Sequence, residues 1–174
     1  MIKRTSDLAD PWELSLSHTL PLLGHRNWIV VADSAYPAQS NPGIETIATN
    51  ADHLHVLKAT LDAIDNSPHV RPNIYLDSEF KLVSEQDGPG VTVYRQKLAR
   101  LIGNRETKVL PHDQIIAKLD ESAKLFRILI LKSSLVVPYT SVFFELDCGY
   151  WSREAEERLR RSVVRSASVG NGTR

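Results

Sequence analysis

Apolar and polar positions along this chain fall into blocks that switch between two periods. The sharpest block lies within Leu22 to Pro37, where Trp28-Ile29-Val30-Val31-Ala32 is apolar throughout and rich in β-branched residues. That composition predicts a strand buried on both faces. Phe126 to Leu131 is a second apolar run suited to a central strand, and Tyr139 to Leu146, after Pro138, gives a third. Glu45 to Thr49 and Lys108 to Leu110 are shorter strand candidates. Arg71 to Val83 reads as one or two strands, with Ile74, Leu76, Leu82 and Val83 toward the core.

Helical spacing fills the intervals. Asp10-Pro11 predicts a helix start, with Asp10 as N-cap and Pro11 in the first turn. Leu14, Leu16, Leu20, Leu22 and Leu23 supply its apolar face, Pro21 bends or shortens it, and Gly24 is the expected stop. Asn50 or Asp52 opens a second helix that turns Leu54, Leu57, Leu61 and Ile64 inward and His53, Lys58, Asp62 and Asp65 outward. After the break at Gln86-Asp87-Gly88-Pro89-Gly90, Val91 to Ile102 is helical through Val91, Tyr94, Leu98 and Leu101. Pro111-His112-Asp113 starts a fourth helix, with Ile115, Ile116 and Leu119 inward. Ser152 to Val164 is a charged fifth helix with acidic residues in its first turn, and Ser166 to Arg174 reads as a disordered tail. Strands alternate with helices, with no internal repeat. The expectation is a single three-layer α/β/α domain over residues 1–151, followed by a charged helix and flexible tail over 152–174.

Composition narrows the function classes. Lysine plus arginine equal aspartate plus glutamate at 21 each, so the formal net charge is zero, which argues against nucleic acid as a partner. No apolar run is long enough to span a bilayer. The start of the chain lacks a secretory apolar core, and Cys148 is the one cysteine. A cytoplasmic protein is the expectation.

Ligands in open α/β sheets favour the carboxyl ends of the strands. That rule singles out Asp33, Tyr36 and Pro37, just after the Trp28–Ala32 run, whereas His25 precedes it. The same residues also read as a helix stop at Gly24, a loop histidine and a turn cap. His53-x-His55 beside Asp52 is a poor metal site, because positions i and i+2 of a helix face different ways. Cys148 reads as core, Tyr150-Trp151 as packing or subunit contacts, and Arg158-Leu159-Arg160-Arg161 as a solvated face.

Gly24-His25, with Ala32-Asp33 eight residues after the His and Pro37 beyond it, resembles the opening motif of the D-ribose pyranase / L-fucose mutarotase family. Lys108-Val109-Leu110-Pro111-His112-Asp113-Gln114 is similar to the family's strand running into a helix that begins with a His-acidic pair. Pro138-Tyr139-Thr140-Ser141 keeps the Tyr of the family's Tyr-x-Asn but carries Ser141 where Asn is expected. The matches span Asp10 to Cys148. The resemblance implies an α/β/α domain assembled into rings, with sites between neighbouring subunits. It implies interconversion of anomers or ring forms of a free, ribose- or fucose-like monosaccharide, without metal or organic cofactor. Carried over by position, His25 is the acid/base, Asp33, His112 and Tyr139 contact the sugar, and Ser141 replaces the amide.

The residue types suit that chemistry. Opening a cyclic hemiacetal needs one proton removed and another delivered, which histidine does near neutral pH because its ordinary pKa is about 6.5. A carboxylate binds vicinal hydroxyls as a charged acceptor, and tyrosine offers a ring face and a phenol. A non-catalytic sugar-binding or regulatory module on the same fold is the alternative. Read as a strand, Tyr139 to Asp147 would put Tyr139, Ser141, Phe143, Glu145 and Asp147 on one face. Loss of the amide at Ser141 would then enlarge the pocket, with Glu145 as an extra polar contact. The competing expectation is that Glu145 and Asp147 merely pair with basic residues.

Overall fold

Six strands and five helices build the domain in the computed structural model, which describes residues 10–169, with side chains through 165. The strands are β1 (Trp28–Ala32), β2 (Ile44–Ala48), β3 (Val70–Asp77), β4 (Thr107–Leu110), β5 (Ile128–Lys132) and β6 (Val142–Cys148). They form one sheet in the order β2-β5-β1-β6-β3-β4. The β2–β5, β5–β1 and β3–β4 pairs are parallel. β6 runs antiparallel between β1 and β3, pairing Val30 with Phe143 and Tyr75 with Phe143 from its two sides. One edge of the sheet therefore collects the carboxyl ends of five strands and the start of β6.

The helices are α1 (Pro11–Thr19), α2 (His53–Asp65), α3 (Val91–Ile102), α4 (His112–Ala123) and α5 (Arg153–Val169). The first three cover one face, where Trp12, Leu16, Leu57, Leu61 and Leu98 pack on Ile29, Val31, Ile74 and Phe144. α4 covers the other, its Ile115 and Leu119 meeting Trp28, Val30, Tyr75, Ile130 and Phe143. β1 lies at the centre, and all five of its residues are buried. This is the expected three-layer α/β/α arrangement.

Some local expectations are met, as for Pro21 shortening α1 and Asp52 opening α2, and others are corrected. α1 ends at Thr19 and tightens into a 3-10 turn over Leu20–Leu22, because Pro21 has no N–H to continue the α ladder. Leu14 and Leu22 are exposed rather than core. Of the two candidate caps for α2, Asp52 acts, its carboxylate accepting the Leu54 and His55 N–H groups at 3.0 and 3.2 Å. β3 stops at Asp77 and passes into a 3-10 turn, Ser78–Leu82, that leaves Leu82 exposed. α5 runs on to Val169 through part of the expected tail, and the remainder of that tail lies outside the described residues. His53, expected on the outer face of α2, is buried.

Candidate functional site

Asp33 leaves the end of β1 in a short turn. Its Oδ1 accepts the Ala35 N–H at 2.9 Å, and its Oδ2 accepts the Ser141 hydroxyl at 3.3 Å. Ser141 is buried just before β6 begins, so two elements far apart in sequence are tied through one carboxylate. Tyr139, expected in the strand, instead sits in the preceding turn with φ +57°, an uncommon region for a bulky side chain that costs about 1–3 kcal/mol. That turn leaves the Tyr139 ring half exposed and packs it edge-on to His112, with centroids 5.7 Å apart.

His112 comes from the third approach to the same edge. β4 ends at Leu110, Pro111 follows, and His112 is the first residue of α4. Its backbone N–H is accepted by both oxygens of Glu79 at 3.1 Å, so a carboxylate sits at the positive end of the α4 dipole. Burial pushes the Glu79 carboxyl up, but the backbone N–H groups of Glu79 and His112 and the Ser78 hydroxyl together hold it below its ordinary value. The His112 ring donates from Nδ1 to Oδ1 of Asp77 at 3.0 Å.

Asp77 ends β3 and is only 3% exposed; its Oδ2 has no hydrogen-bond partner among the described residues. Burial drives its pKa from 3.8 up to about 6, against the lowering influence of the His112 hydrogen bond and charge. Tyr36 is buried nearby, and its phenol is pushed upward by burial and then by the charges of Asp120, Asp77 and Asp33.

The Asp77 shift makes a stability prediction. Its folded value lies above the unfolded one, so stability falls as pH rises from about 4 to 6, and above that window the carboxylate costs about 3 kcal/mol. An Asp77→Asn variant is expected to match the wild type near pH 4 and to exceed it in urea-unfolding stability by neutral pH. A difference that stays constant between pH 4 and 7 contradicts this.

Behind the edge, His53 links β1 to the Tyr139–Ser141 turn. Its Nε2–H donates to the Val31 carbonyl at 3.3 Å, which leaves Nδ1 to accept the Tyr94 hydroxyl at 2.9 Å. The Tyr94 oxygen also lies 3.4 Å from the Thr140 carbonyl. Burial is the main cause that holds the His53 pKa down at about 4, so the ring is neutral at physiological pH. His55 instead faces Glu13 at 3.4 Å.

Asp33, His112, Tyr139 and Ser141 are thus brought together, but His25 is not. It lies before β1, at the opposite edge of the sheet, and a five-residue strand spans about 17 Å. There its Nδ1 donates to Asp147 Oδ1 at 2.9 Å, while Asp147 Oδ2 accepts Arg71 Nη2 at 2.7 Å. Partial burial pushes the Asp147 carboxyl up, but the hydrogen bonds from Arg71 and the Cys148 N–H outweigh it and keep the group below its ordinary value. The Arg26 guanidinium approaches His25 Nε2 at 3.4 Å. A groove of about 920 Å³ opens at this edge between Arg71, Asn73, Lys108 and Asp147 on one wall and Trp151 and Glu156 on the other.

Glu145 accepts the Tyr75 hydroxyl at 2.7 Å, and buried Phe143 separates it from Ser141. It is therefore no neighbour of the Asp33 cluster, and the paired-carboxylate expectation describes Asp147. The sequence reading missed Asp77 and Glu79, because both fall inside a stretch read as strand through Val83. The available signal was an Asp directly after Ile74-Tyr75-Leu76, the same pattern that marked Asp33.

The fold recurs in solved structures. Bacillus subtilis RbsD complexed with D-ribose is 20% identical with a TM-score of 0.52, covering 76% of this chain and 91% of that one. FucU from Bifidobacterium longum is 21% identical with a TM-score of 0.54, covering 80% and 94%. The fucose mutarotase from Streptococcus pneumoniae, in complex with L-fucose, is 18% identical with a TM-score of 0.51, covering 84% and 98%. No curated protein sequence matches the chain significantly. The model of one family matches residues 13–145, from α1 to within β6. By that match, which takes in five strands whole and the start of the sixth, the chain belongs to the RbsD / FucU transport protein family.

Proposed function

We propose that this protein is a cofactor-independent sugar mutarotase or pyranase that interconverts anomers or ring forms of a free monosaccharide. The observation that carries the reading is the convergence of Asp33, His112, Tyr139 and Ser141 at the carboxyl edge of the sheet. A carboxylate acceptor, an imidazole and an aromatic face are what a polyhydroxylated ring with one C–H-rich side requires. Two proteins of the same fold are described as complexes with D-ribose and with L-fucose, which supports a monosaccharide of that size.

His25 serves as the acid/base in this reading, delivered by a neighbouring copy. Exposed apolar side chains support a ring: Leu82 and Val136 lie at the Asp33 edge, and Leu22, Leu125 and Tyr150 at the His25 edge. A heterologous contact between two unlike edges closes into a ring when the rotation permits. It would place His25 of one chain over the Asp33–His112 cluster of the next.

Saturation-transfer NMR between sugar anomers, with and without protein, tests the activity. Accelerated exchange of ribose or fucose supports the enzyme. Perturbed sugar signals without faster exchange would instead establish the non-catalytic binding module, which Ser141 in place of an amide favours.

Ser141→Asn tests the specificity. Asn donates as well as accepts and reaches about one bond further than Ser, so the variant is expected to shift preference among ribose, fucose and larger hexoses toward ribose or fucose. An unchanged preference removes Ser141 from the specificity-setting residues.

A further inference from the structure

Which ring nitrogen of His25 carries the proton decides which one can serve the reaction. We propose that Asp147, anchored by Arg71, is the positioning residue of His25 and sets Nε2 as the atom that exchanges protons with the sugar. The inference rests on the mutarotase reading, in which His25 is the acid/base.

The loop that carries His25 is closed on itself and tied to β6. The Asn27 N–H donates to the Gly24 carbonyl at 3.0 Å, and Asn27 Oδ1 accepts the Gly24 N–H at 2.7 Å. Arg26 takes φ +74° within this turn. The Arg26 N–H donates to the Leu146 carbonyl at 2.9 Å, and the Leu146 N–H to the Asn27 carbonyl at 2.8 Å. His25 is thereby brought beside Asp147, the next residue of β6. Arg71 of β3 pairs directly opposite Asp147, which brings its guanidinium to the same carboxylate.

Four N–H groups converge there. Oδ1 accepts His25 Nδ1–H at 2.9 Å and the Cys148 N–H at 2.8 Å, and Oδ2 accepts Arg71 Nη2 and Nε at 2.7 and 3.2 Å. A backbone N–H and a guanidinium can only donate, so the position calls for an acceptor on both sides, which an amide does not offer. Partial burial raises the Asp147 carboxyl, but the hydrogen bonds from Arg71 and Cys148 hold it below its ordinary value, so it is ionised at neutral pH.

The imidazole is specified from both of its nitrogens. Asp147 is an acceptor on Nδ1, and the Arg26 guanidinium, 3.4 Å from Nε2, is a donor. Both contacts demand the same tautomer, with the proton on Nδ1 and the lone pair on Nε2. The Asp147 side chain is 28% exposed against 58% for His25, so the ring can meet a ligand while the carboxylate stands behind it. A carboxylate in that place also stabilises the imidazolium that forms when Nε2 takes a proton. As an exposed ion pair the contact contributes little to stability; what it adds is orientation.

The test reads the tautomer directly, by long-range proton–nitrogen NMR of the imidazoles in mildly alkaline buffer, where the rings are neutral. His25→Ala identifies the signal. Wild-type His25 is expected to carry its proton on Nδ1. In Asp147→Asn, checked for native circular dichroism, the amide keeps its oxygen on the charged guanidinium, the stronger donor, and turns its NH2 to Nδ1. The proton is then expected on Nε2. With ribose and fucose as probes, saturation-transfer NMR of the variant should show kcat lowered roughly 10- to 1,000-fold with KM little changed. Wild-type His25 protonated on Nε2 overturns the proposal without any variant. A proton retained on Nδ1 in folded Asp147→Asn overturns the positioning role, and so does wild-type kcat after the tautomer has changed. If the wild type accelerates neither sugar, the mutarotase reading fails and the proton-exchange role of Nε2 with it, while the tautomer still shows whether Asp147 sets the ring.

Discussion

In a His25→Ala variant, sugar-ring exchange is expected to fall about 100- to 10,000-fold while the fold is kept. Both halves of that outcome follow from where His25 stands. It lies in the loop before β1 with more than half of its side chain exposed, and its contacts are Asp147 and Arg26. Asp147 keeps Arg71 and the Cys148 N–H as donors when the imidazole is gone, and an exposed pair of this kind contributes about 1 kcal/mol or less. Thermal unfolding should therefore change little. Native-like exchange in the folded variant would remove His25 from the chemistry and leave the Asp33–His112 edge to act alone.

The second large effect comes from mixing two inactive proteins. If His25 acts on the site of a neighbouring copy, His25→Ala and His112→Ala damage opposite halves of a shared site. Co-assembled from equal amounts, they should regain about one quarter of the wild-type exchange rate, since each intact site needs an undamaged residue from both contributors. Neither variant recovers alone. The prediction follows from the sheet itself: His25 and Asp33 sit at opposite ends of β1, so one chain cannot close both onto the same small sugar. A mixture as inactive as its components shows that the two residues do not share a site. A monomer by light scattering at micromolar concentration leads to the same conclusion.

Much of the fold was legible because its signals are local. A five-residue apolar run predicts a strand with both faces covered, and Trp28–Ala32 is that strand. Asp10-Pro11 opens a helix because Pro11 needs no donor partner in the first turn. The three motif regions do lie where strands end or begin: Asp33 after β1, His112 after β4, and Ser141 before β6. Less legible were positions whose setting is made by another segment. His53 looked polar-faced on α2, yet the Val31 carbonyl and the Tyr94 hydroxyl satisfy both of its ring nitrogens, so it could be buried. Tyr139 looked like strand, yet its turn holds a left-handed backbone that a strand pattern cannot express.

The sequence by itself determined the element types, the burial of the central strand, the three-layer class and a family resemblance that the match over residues 13–145 bears out. The element types and the burial of the strand depend on local spacing, where helix and strand periods act, and the class and the resemblance on the order of those elements and motifs along the chain. Only the tertiary structure decided that β6 enters antiparallel between β1 and β3, and hence that Ser141 meets Asp33 while Asp147 meets His25 at the far edge. Only it placed Asp77 behind His112, from a strand 35 positions earlier in the chain. The reason is physical: strand order and direction are chosen by packing among distant segments, and that choice settles which end of a strand faces which side chain. Asp77 and His112 carry no mark in the sequence that joins them. The β3–β4 register does, pairing Asp77 with Leu110 two residues before the histidine.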